Sequence, residues 1–469
     1  VVHVRHESCA AFMGIGHHFV RPDELVCVLT TSGPGFTNAL TGIASAYAER
    51  VPMLVIAGDV PRSKVGRGAL QDGAAGAMDV VAMARSVCRE AQRVERPENA
   101  CIQLRAAIEC ARRERGPVFL SLPLDVANAP VPPMAVRLSP KQRESIPPHD
   151  IEAVADALST ARHPLFVVGP GARACAGPLR RLVHRLHIPV VTSPGGKGVV
   201  SERAPECVGV LGYGGHPSVH RWLADHPPDV VVVLGCSLSE VSTSNWSPLV
   251  QGSSAMIQFD ESAADISCNY RIDRAIVGAW HPLVSVLDEH LAGVDPRPTP
   301  LPGIDRIDVE RETLDATPLH PARVLRVLQE TLPDDTLYAA DVGENLLFSI
   351  HHLEIAEPDR FLCALETGSM GSGFNTAVGA AAADPGRTVV AIGGDYAFAM
   401  YGMEFHTCVQ QGWAVVFVVM NDARMRMVEA GQMRIYGRSM DMTGPRTELA
   451  EVARAMGGAG AVVTHADEL

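Results

Sequence analysis

The stretch between residues 388 and 428 constrains the fold more than any other part of the chain. An apolar run at its start ends on two glycines and Asp395, and a second apolar run at 414–420 leads into Asp422. The residues at 402–411 have the pattern of a helix between two strands. Parallel strands joined by a helix place their carboxyl ends side by side, so we expect Asp395 and Asp422 to share one rim of a sheet. Two carboxylates there suit a hard cation such as Mg²⁺.

Composition excludes several classes of protein. The chain has 469 residues, of which 47% are hydrophobic and 20% charged, which is typical of a globular protein. A net charge of −13 argues against a nucleic-acid surface, and no apolar run approaches the ~20 residues of a membrane span. The eleven cysteines include no Cys-x-x-Cys pair and there is no signal peptide, which favours a reducing cytoplasm.

Apolar strand runs alternate with helical segments along the chain, which predicts α/β architecture with parallel sheets. The length suggests three domains, and two proline-rich linkers at 130–150 and 294–318 separate them. We therefore expect three doubly wound parallel-sheet domains, at 1–130, 150–293 and 319–469. The chain opens at Val1 inside an apparent strand and stops soon after Val463, so we expect the first domain to lack an N-terminal part and the last a C-terminal part.

The metal-loop sequence resembles that of a known family. Gly394-Asp395 followed by Asn421-Asp422 resembles the Gly-Asp-Gly…Asn-Asn motif with which thiamine-diphosphate enzymes bind metal and diphosphate. Tyr396 replaces the third residue of the motif, and Asp422 replaces the second asparagine, usually a metal ligand. Taken alone, Asp395 has a simpler interpretation as a helix cap.

The resemblance implies Mg²⁺ bound by Asp395, Asp422 and the carbonyl oxygen of Arg424. It also implies a set of residues in contact with the cofactor along this loop: Gly394, Asp395, Tyr396, Ala397 and Asp422.

The first domain resembles the pyrimidine-binding domain of acetolactate synthase and its relatives. The matching elements are Arg-His-Glu, ending at Glu7, and Thr-Ser-Gly-Pro-Gly-Phe-Thr-Asn at 31–38, which contains Gly35. In that family the glutamate bonds N1′ of the aminopyrimidine and favours the imino tautomer, whose N4′ takes the proton from C2. The resemblance implies this role for Glu7 and places Gly35 among the catalytic residues. Gln71, within Leu-Gln-Asp, matches a Phe-Gln-Glu element that reaches the active site, although a solvated loop glutamine is an equal alternative.

Two further segments of the last domain resemble diphosphate contacts. Asp-Val-Gly-Glu-Asn at 341–345 stands where the family has Asp-Val-Gly-Gln-His, so Asn345 is a candidate donor, whereas the charge of Glu344 would repel a phosphate. Thr-Gly-Ser-Met-Gly-Ser-Gly at 367–373 opens a helix of small residues, whose first amides suit an anion. Met370 aligns with the apolar residue that supports the bent cofactor; core filling is the alternative. The candidate cofactor contacts here are Gly368, Ser369 and Met370.

The middle domain departs from the family at its possible flavin site. Acetolactate synthases carry a Gly-Ala-Arg-Phe-Asp-Asp element whose arginine contacts FAD, and here Ser237 stands in place of that arginine. This substitution favours a middle domain without FAD.

By resemblance, the chain is a thiamine-diphosphate enzyme that decarboxylates a 2-oxo acid such as pyruvate and transfers the acyl carbanion equivalent to a second carbonyl compound. Gly431 stands where the family has a tryptophan that helps to select the acceptor, which leaves the acceptor open. In the family, the residues that match Glu7 and Asp395 come from different subunits of one active site, so the resemblance implies a homodimer or homotetramer. Two alternatives remain open: a decarboxylase that releases an aldehyde, and a non-catalytic relative that keeps the fold for assembly.

Overall fold

A computed structural model describes residues 1–131, 138, 146–296, 301 and 303–469, with the side chains of 280–282 outside the description. The chain forms two compact units. The first contains the described residues of Val1–Gln142, Leu337–Gly343 and Ala364–Val462. The second contains those of Arg143–Thr336, Glu344–Cys363 and Val463–Leu469.

Helices and strands alternate along most of the described chain. The helices are α1 (Glu7–Val20), α2 (Pro34–Ala48), α3 (Val80–Ala84), α4 (Ala100–Glu114), α5 (Leu124–Ala127), α6 (Pro148–Thr160), α7 (Ala176–Leu186), α8 (Pro217–Asp225), α9 (Trp280–His290), α10 (Pro321–Thr331), α11 (Glu344–His352), α12 (Ser372–Ala383), α13 (Asp395–Tyr401), α14 (Phe405–Gln411), α15 (Arg426–Tyr436) and α16 (Leu449–Ala455). The strands are β1 (Val26–Thr30), β2 (Met53–Asp59), β3 (Glu90–Arg93), β4 (Pro117–Pro123), β5 (Pro164–Val168), β6 (Val190–Thr192), β7 (Cys207–Val210), β8 (Val230–Leu234), β9 (Ala255–Asp260), β10 (Arg274–Val277), β11 (Leu337–Ala340), β12 (Phe361–Leu362), β13 (Val389–Gly394) and β14 (Val415–Met420). Within the described ranges, no helix has both the length and the apolar character that crossing a membrane requires.

Three parallel sheets organise the residues that the structure describes. The first has the strand order β1-β2-β4-β3 and the second β10-β9-β8-β5-β6-β7, while β11, β13 and β14 pair in that order in the third. In the second sheet Phe166 and Val168 of β5 join one hydrophobic cluster, and Leu165 and Val167 join another on the opposite face. A strand buried on both faces needs a continuous apolar run, which explains why these segments are recognisable from sequence. The expected parallel α/β fold is confirmed.

Two local predictions need correction. Residues 1–4 are irregular and do not form a strand. The helix expected at 402–411 is instead split: α13 begins directly at Asp395, a 3₁₀ turn covers Gly402–Glu404, and α14 follows. The helix therefore starts on the candidate metal ligand, with Gly394 as its N-cap residue in an extended conformation. Most of the linker at 130–150 lies outside the described residues.

Helices α1 and α12 of the first unit cross at two glycines. A Cβ atom at Gly16 would lie 1.8 Å from the carbonyl oxygen of Thr376, and one at Gly379 would lie 1.9 Å from that of Met13. Both distances are far below van der Waals contact, so neither position accepts a side chain without moving a helix. The crossing joins the N-terminal segment of the chain to the sheet that carries the candidate metal loop.

Candidate active site

Asp395 lies at the carboxyl end of β13, beside the end of β14. The parallel register pairs Gly394 with Met420, so the two strands end at the same level. The Oδ1 atom of Asp395 accepts a hydrogen bond from the Tyr396 amide at 2.8 Å, and Oδ2 accepts one from the Ala423 amide at 2.7 Å. Asp395 is therefore more than a helix cap, because it also holds the chain that follows the neighbouring strand.

The charges at this rim interact. Burial raises the pKa of Asp395 above its ordinary value, and the nearby negative charge of Asp422 raises it further. The side chain of Asp422 is 37% exposed and forms an ion pair with Arg426. Two carboxylates that repel each other at the edge of a sheet would both be stabilised by a divalent cation.

The third predicted metal ligand is a backbone oxygen, the carbonyl of Arg424. Arg424 lies opposite Thr443 in an isolated antiparallel bridge, whose flanking hydrogen bonds run from Gly444 to the Ala423 carbonyl (2.8 Å) and from Met425 to the Met442 carbonyl (3.2 Å). In such a pair the facing residues exchange no hydrogen bonds, so the carbonyl of Arg424 points away from Thr443.

The described residues contain no cluster of three or more His, Cys, Asp or Glu side chains able to hold a metal. The predicted ligands are instead two carboxylates and a main-chain carbonyl. Beside them, Asn421 donates from Nδ2 to the Thr447 carbonyl at 2.8 Å, while its Oδ1 is buried without a hydrogen-bond partner. An all-oxygen set that leaves further positions to water and phosphate fits Mg²⁺ rather than a softer metal.

Glu7 occupies the first position of α1 and faces α2. The Nδ2 atom of Asn38 donates to Glu7 Oε2 at 3.2 Å. The neighbouring Ser8 hydroxyl donates to the Asn38 carbonyl at 2.5 Å and accepts from the Gly42 amide at 3.3 Å. These bonds tie the start of α1 to α2, so the orientation of Glu7 depends on the motif at 31–38 that also carries the resemblance.

Gln71 lies against the other end of the same motif. The Ser32 hydroxyl donates to Gln71 Oε1 at 3.0 Å. The loop is held by the buried Asp72, whose carboxylate accepts from the Gly66 and Ala74 amides at 3.1 Å each. Gly35, in the first turn of α2, packs so tightly that a Cβ atom would lie 2.8 Å from the Thr31 methyl carbon. The structure thus gathers Glu7, Gln71 and Gly35 around one segment.

Glu404 is a residue that sequence reasoning missed. Its side chain is buried, and Oε1 accepts hydrogen bonds from the amides of Arg5 at 2.6 Å and His6 at 3.1 Å, while Oε2 accepts from the Thr407 hydroxyl at 2.5 Å. It therefore fixes the chain immediately before Glu7. Almost 400 positions separate these partners, and no motif joins them, so only the folded structure connects them.

The start of α12 binds an anion, but the anion belongs to the chain. Asp341, fully buried at the end of β11, accepts hydrogen bonds from the amides of Gly371 (3.0 Å), Gly373 (2.8 Å) and Phe374 (3.4 Å). Burial raises the pKa of Asp341 to about 6 in spite of these bonds. The interpretation of these helix amides as a diphosphate site needs correction, because an internal carboxylate occupies three of them. The sequence signal that could have revealed this contact is an Asp at the end of a strand, ahead of a glycine-rich helix start.

The remaining candidates lie on loop or helix-start positions. Gly368 is exposed, and Ser369 and Met370 are half-buried in the turn that precedes α12. That turn is shaped by Gly371, whose φ of 81° is left-handed and whose Cβ would meet the Tyr401 ring at 2.6 Å. Asn345 belongs to α11 in the second unit, where its carbonyl accepts from the Ser349 hydroxyl at 2.7 Å. Cofactor contact by these residues stays a prediction.

Comparison with known families agrees with this arrangement. Three family models of thiamine pyrophosphate enzymes match the chain in order: the N-terminal TPP binding domain at residues 1–83, the central domain at 151–287 and the C-terminal TPP binding domain at 341–469.

Relatives match across nearly the whole chain. The acetolactate synthase large subunit of Haemophilus influenzae is 30% identical over 495 residues, covering 99% of this chain and 83% of the relative. The acetolactate synthase of Arthrospira platensis is 30% identical over 472 residues, covering 96% and 79%. The X-ray structure of a Mycobacterium smegmatis protein assigned to the thiamin diphosphate-dependent enzymes superposes with a TM-score of 0.83 at 22% identity, covering 99% of this chain and 87% of that one. The chain therefore belongs to the thiamine pyrophosphate enzyme family, and its homologues include acetolactate synthase large subunits.

Proposed function

We propose that this protein is a carboligase dependent on thiamine diphosphate and Mg²⁺. It would decarboxylate a 2-oxo acid, for which pyruvate is the simplest choice, and join the acyl group to a second carbonyl compound. The observation that carries the proposal is the rim formed by Asp395 and Asp422 at the ends of two adjacent parallel strands. Such a rim is where α/β sheets bind ligands.

The metal would be held by the carboxylates of Asp395 and Asp422 and by the carbonyl of Arg424. Each carboxylate has an existing partner that orients it: the Ala423 amide for Asp395 and the Arg426 guanidinium for Asp422. Mg²⁺ uses only a few protein ligands and takes phosphate oxygens for the rest, so this set suits a metal-bridged diphosphate. The turn at Gly368, Ser369 and Met370 and the amides near Tyr396 and Ala397 are further candidate contacts.

Bound thiamine diphosphate supplies a carbon nucleophile and accepts the electron pair released when CO₂ leaves. Glu7 would exchange a proton with N1′ of the aminopyrimidine. Asn38 donates to its Oε2, which leaves Oε1 as the atom free to face the cofactor. General acid–base catalysis is the role that a carboxyl group at this position would have.

Gln71 would orient the substrate. Its Oε1 is already engaged by the Ser32 hydroxyl, so the amide nitrogen faces away from that bond and can donate. An N–H donor suits the carboxylate or keto oxygen of a 2-oxo acid. The left-handed backbone of Gln71, with φ of 61°, is a strained conformation that the Asp72 hydrogen bonds support.

We do not propose FAD as a cofactor of the middle domain. The turns that follow β5 and β8 are in backbone contact: Gly169 donates to the Leu234 carbonyl at 2.9 Å, and Gly171 donates to the Gly235 carbonyl at 3.0 Å. Ser237, half-buried after this contact, carries no charge that could pair with a flavin diphosphate. No step of the reaction uses a flavin.

We further propose that the active form is a homodimer or homotetramer, as the family resemblance implies. Light scattering of the purified protein would give a mass at least twice that of the 50.0 kDa chain. A monomer that retains full activity would contradict this part of the proposal.

Product analysis tests the reaction. With Mg²⁺, thiamine diphosphate and pyruvate, alone and with a second 2-oxo acid, a carbon–carbon-bonded product is expected. Release of an aldehyde alone would identify a decarboxylase instead, and the absence of any cofactor binding would identify a non-catalytic relative.

The variant Glu7→Gln tests the assigned proton carrier. It preserves the Asn38 hydrogen bond but cannot exchange a proton, so we expect kcat to fall by about 10²–10⁴-fold. Cofactor affinity, measured by calorimetry, should change far less. Unchanged kcat would remove Glu7 from the mechanism.

A further inference from the structure

Tyr396, which stands where the resembling motif has glycine, reaches across to a loop 48 residues further along the chain, at Gly444. A Cβ atom added at Gly444 would lie 2.3 Å from the Tyr396 hydroxyl oxygen and 3.3 Å from its Cζ. The phenol tip therefore occupies the space that a side chain at residue 444 would need. The family motif has a glycine where this chain has Tyr396. Conversely, the residue that Tyr396 contacts, Gly444, is itself a glycine.

This contact closes a ring of interactions around the candidate metal loop. The Tyr396 amide donates to Asp395 Oδ1, whose second oxygen accepts from the Ala423 amide at 2.7 Å. The Ala423 carbonyl accepts from the Gly444 amide at 2.8 Å. Gly444 in turn packs on the Tyr396 hydroxyl. Each of the four residues thus contacts the next, and the last contacts the first.

The turn inside this ring needs such support. Ala423 has a φ of 55°, which is left-handed and unfavourable for a residue with a Cβ atom. On either side of it lie Asp422, which is exposed, and Arg424, whose carbonyl points away from Thr443. Strained conformations persist only where the surroundings determine them, and metal ligands need supporting contacts to keep their geometry.

We propose that Tyr396 is a positioning residue that, seated on Gly444, holds the Asp422–Arg424 turn in the conformation that presents its oxygens to the metal. The role of the turn as a metal loop rests on the proposed function. The contact between Tyr396 and Gly444, which we call the brace, is a property of the folded chain and can be measured without metal.

The experiment is a set of variants at the two positions. Gly444→Ala pushes a methyl group into the Tyr396 hydroxyl and should weaken Mg²⁺-dependent thiamine diphosphate binding by about 10-fold or more, the range typical of supporting residues around a metal. Adding Tyr396→Phe removes the clashing oxygen and should restore most of the affinity. Gly293→Ala is the matched control, because a Cβ atom there would meet nothing within 4 Å. Calorimetric titration measures all four proteins.

Hydrogen exchange of the metal-free protein gives a reading that does not depend on the cofactor. The amides of Ala423 and Gly444 are both hydrogen-bonded within the ring, so Tyr396→Gly should accelerate their exchange by about 10-fold, while amides in the core of β13 stay unchanged. Unchanged exchange in Tyr396→Gly, or a double variant no better than Gly444→Ala alone, would overturn the brace. If the wild-type protein binds neither Mg²⁺ nor the cofactor, the proposed function fails, and the exchange data still decide for or against the brace.

Discussion

Asp341 and Asp395 follow two adjacent strands of the same sheet but have different surroundings. Asp341 follows β11 and is fully buried, with its oxygens occupied by three amides of the α12 start. Asp395 follows the adjacent β13, is partly exposed, and lies near a second carboxylate, Asp422. Both positions satisfy the rule that ligands bind at the carboxyl ends of parallel strands. Only the second lies close to another carboxylate, whose charge acts on it.

The two aspartates have similar places in the sheet but different surroundings. Asp341 organises the backbone of the turn before α12, whereas Asp395 and Asp422 are the proposed ligands of an external cation. Replacing Asp395 should therefore change the affinity for Mg²⁺ and cofactor, whereas replacing Asp341 should change the free energy of unfolding.

The largest effect is expected for Asp395→Asn. The amide side chain removes the charge and cannot accept hydrogen bonds at both of its terminal atoms. It therefore weakens the proposed metal site and the hydrogen bond from the Ala423 amide together. We expect Mg²⁺-dependent cofactor binding to weaken by more than about 100-fold, since loss of supporting residues alone costs about 10–100-fold. Calorimetry measures the affinity, and Asp23→Asn, at an exposed carboxylate, is the control. Affinity within a factor of ten of wild type would contradict the ligand role.

An intermediate effect, on stability rather than affinity, is expected for Asp341→Asn. The new NH₂ group would face helix amides, and the unmade hydrogen bonds should cost about 1–3 kcal/mol. Urea unfolding of the cofactor-free protein measures the loss. If Asp341→Asn instead abolished metal binding while leaving stability intact, the division between the two aspartates would be wrong.

The pH dependence of that variant sharpens the comparison. Burial raises the pKa of Asp341 to about 6, above its ordinary value near 3.8, so the folded state binds this proton more tightly than the unfolded state. The contribution of this carboxyl to stability is then greatest below pH 4 and declines as the pH rises to 6. Asn does not titrate, so the gap in unfolding midpoint between wild type and variant should narrow over this range. A gap that widens would contradict the assignment.

The smallest effect is expected for Asp422→Asn. This variant restores the residue that the resembling motif carries and keeps an oxygen ligand. It loses only an exposed ion pair with Arg426, and such pairs contribute about 0–1 kcal/mol. Mg²⁺ affinity should stay within about 10-fold of wild type by calorimetry, and Arg426→Gln isolates the share due to the ion pair. A loss as large as that of Asp395→Asn would make Asp422 the principal ligand.

Much of the fold could be predicted from local pattern. The strands Val230–Leu234 and Leu337–Ala340 are recognisable from the sequence, because a strand buried on both faces is a continuous apolar run. The helix after β13 was placed too late, because Gly394 and Asp395 are typical of a loop, whereas Asp395 begins α13.

The candidate site was predictable only where a contiguous motif carries it. Glu7, Asp395 and Asp422 stand in such motifs, and the register of β13 and β14 explains why the last two meet. The support given by Glu404 and Gly444 depends on contacts between segments that are distant in the chain. Glu404 bonds to backbone amides, and Gly444 makes its contact without a side chain, so the residue types alone do not indicate these contacts.

The glycine crossing of α1 and α12 has a mechanical consequence. At Gly16 and Gly379 each helix lies directly against the backbone of the other, so the two cannot approach further there. We therefore expect Glu7 at the head of α1 and the turn that leads into α12 to move together within a chain. If Glu7 binds the pyrimidine end of the coenzyme as proposed, a shift of α1 on binding should also displace the turn that holds Ser369 and Met370.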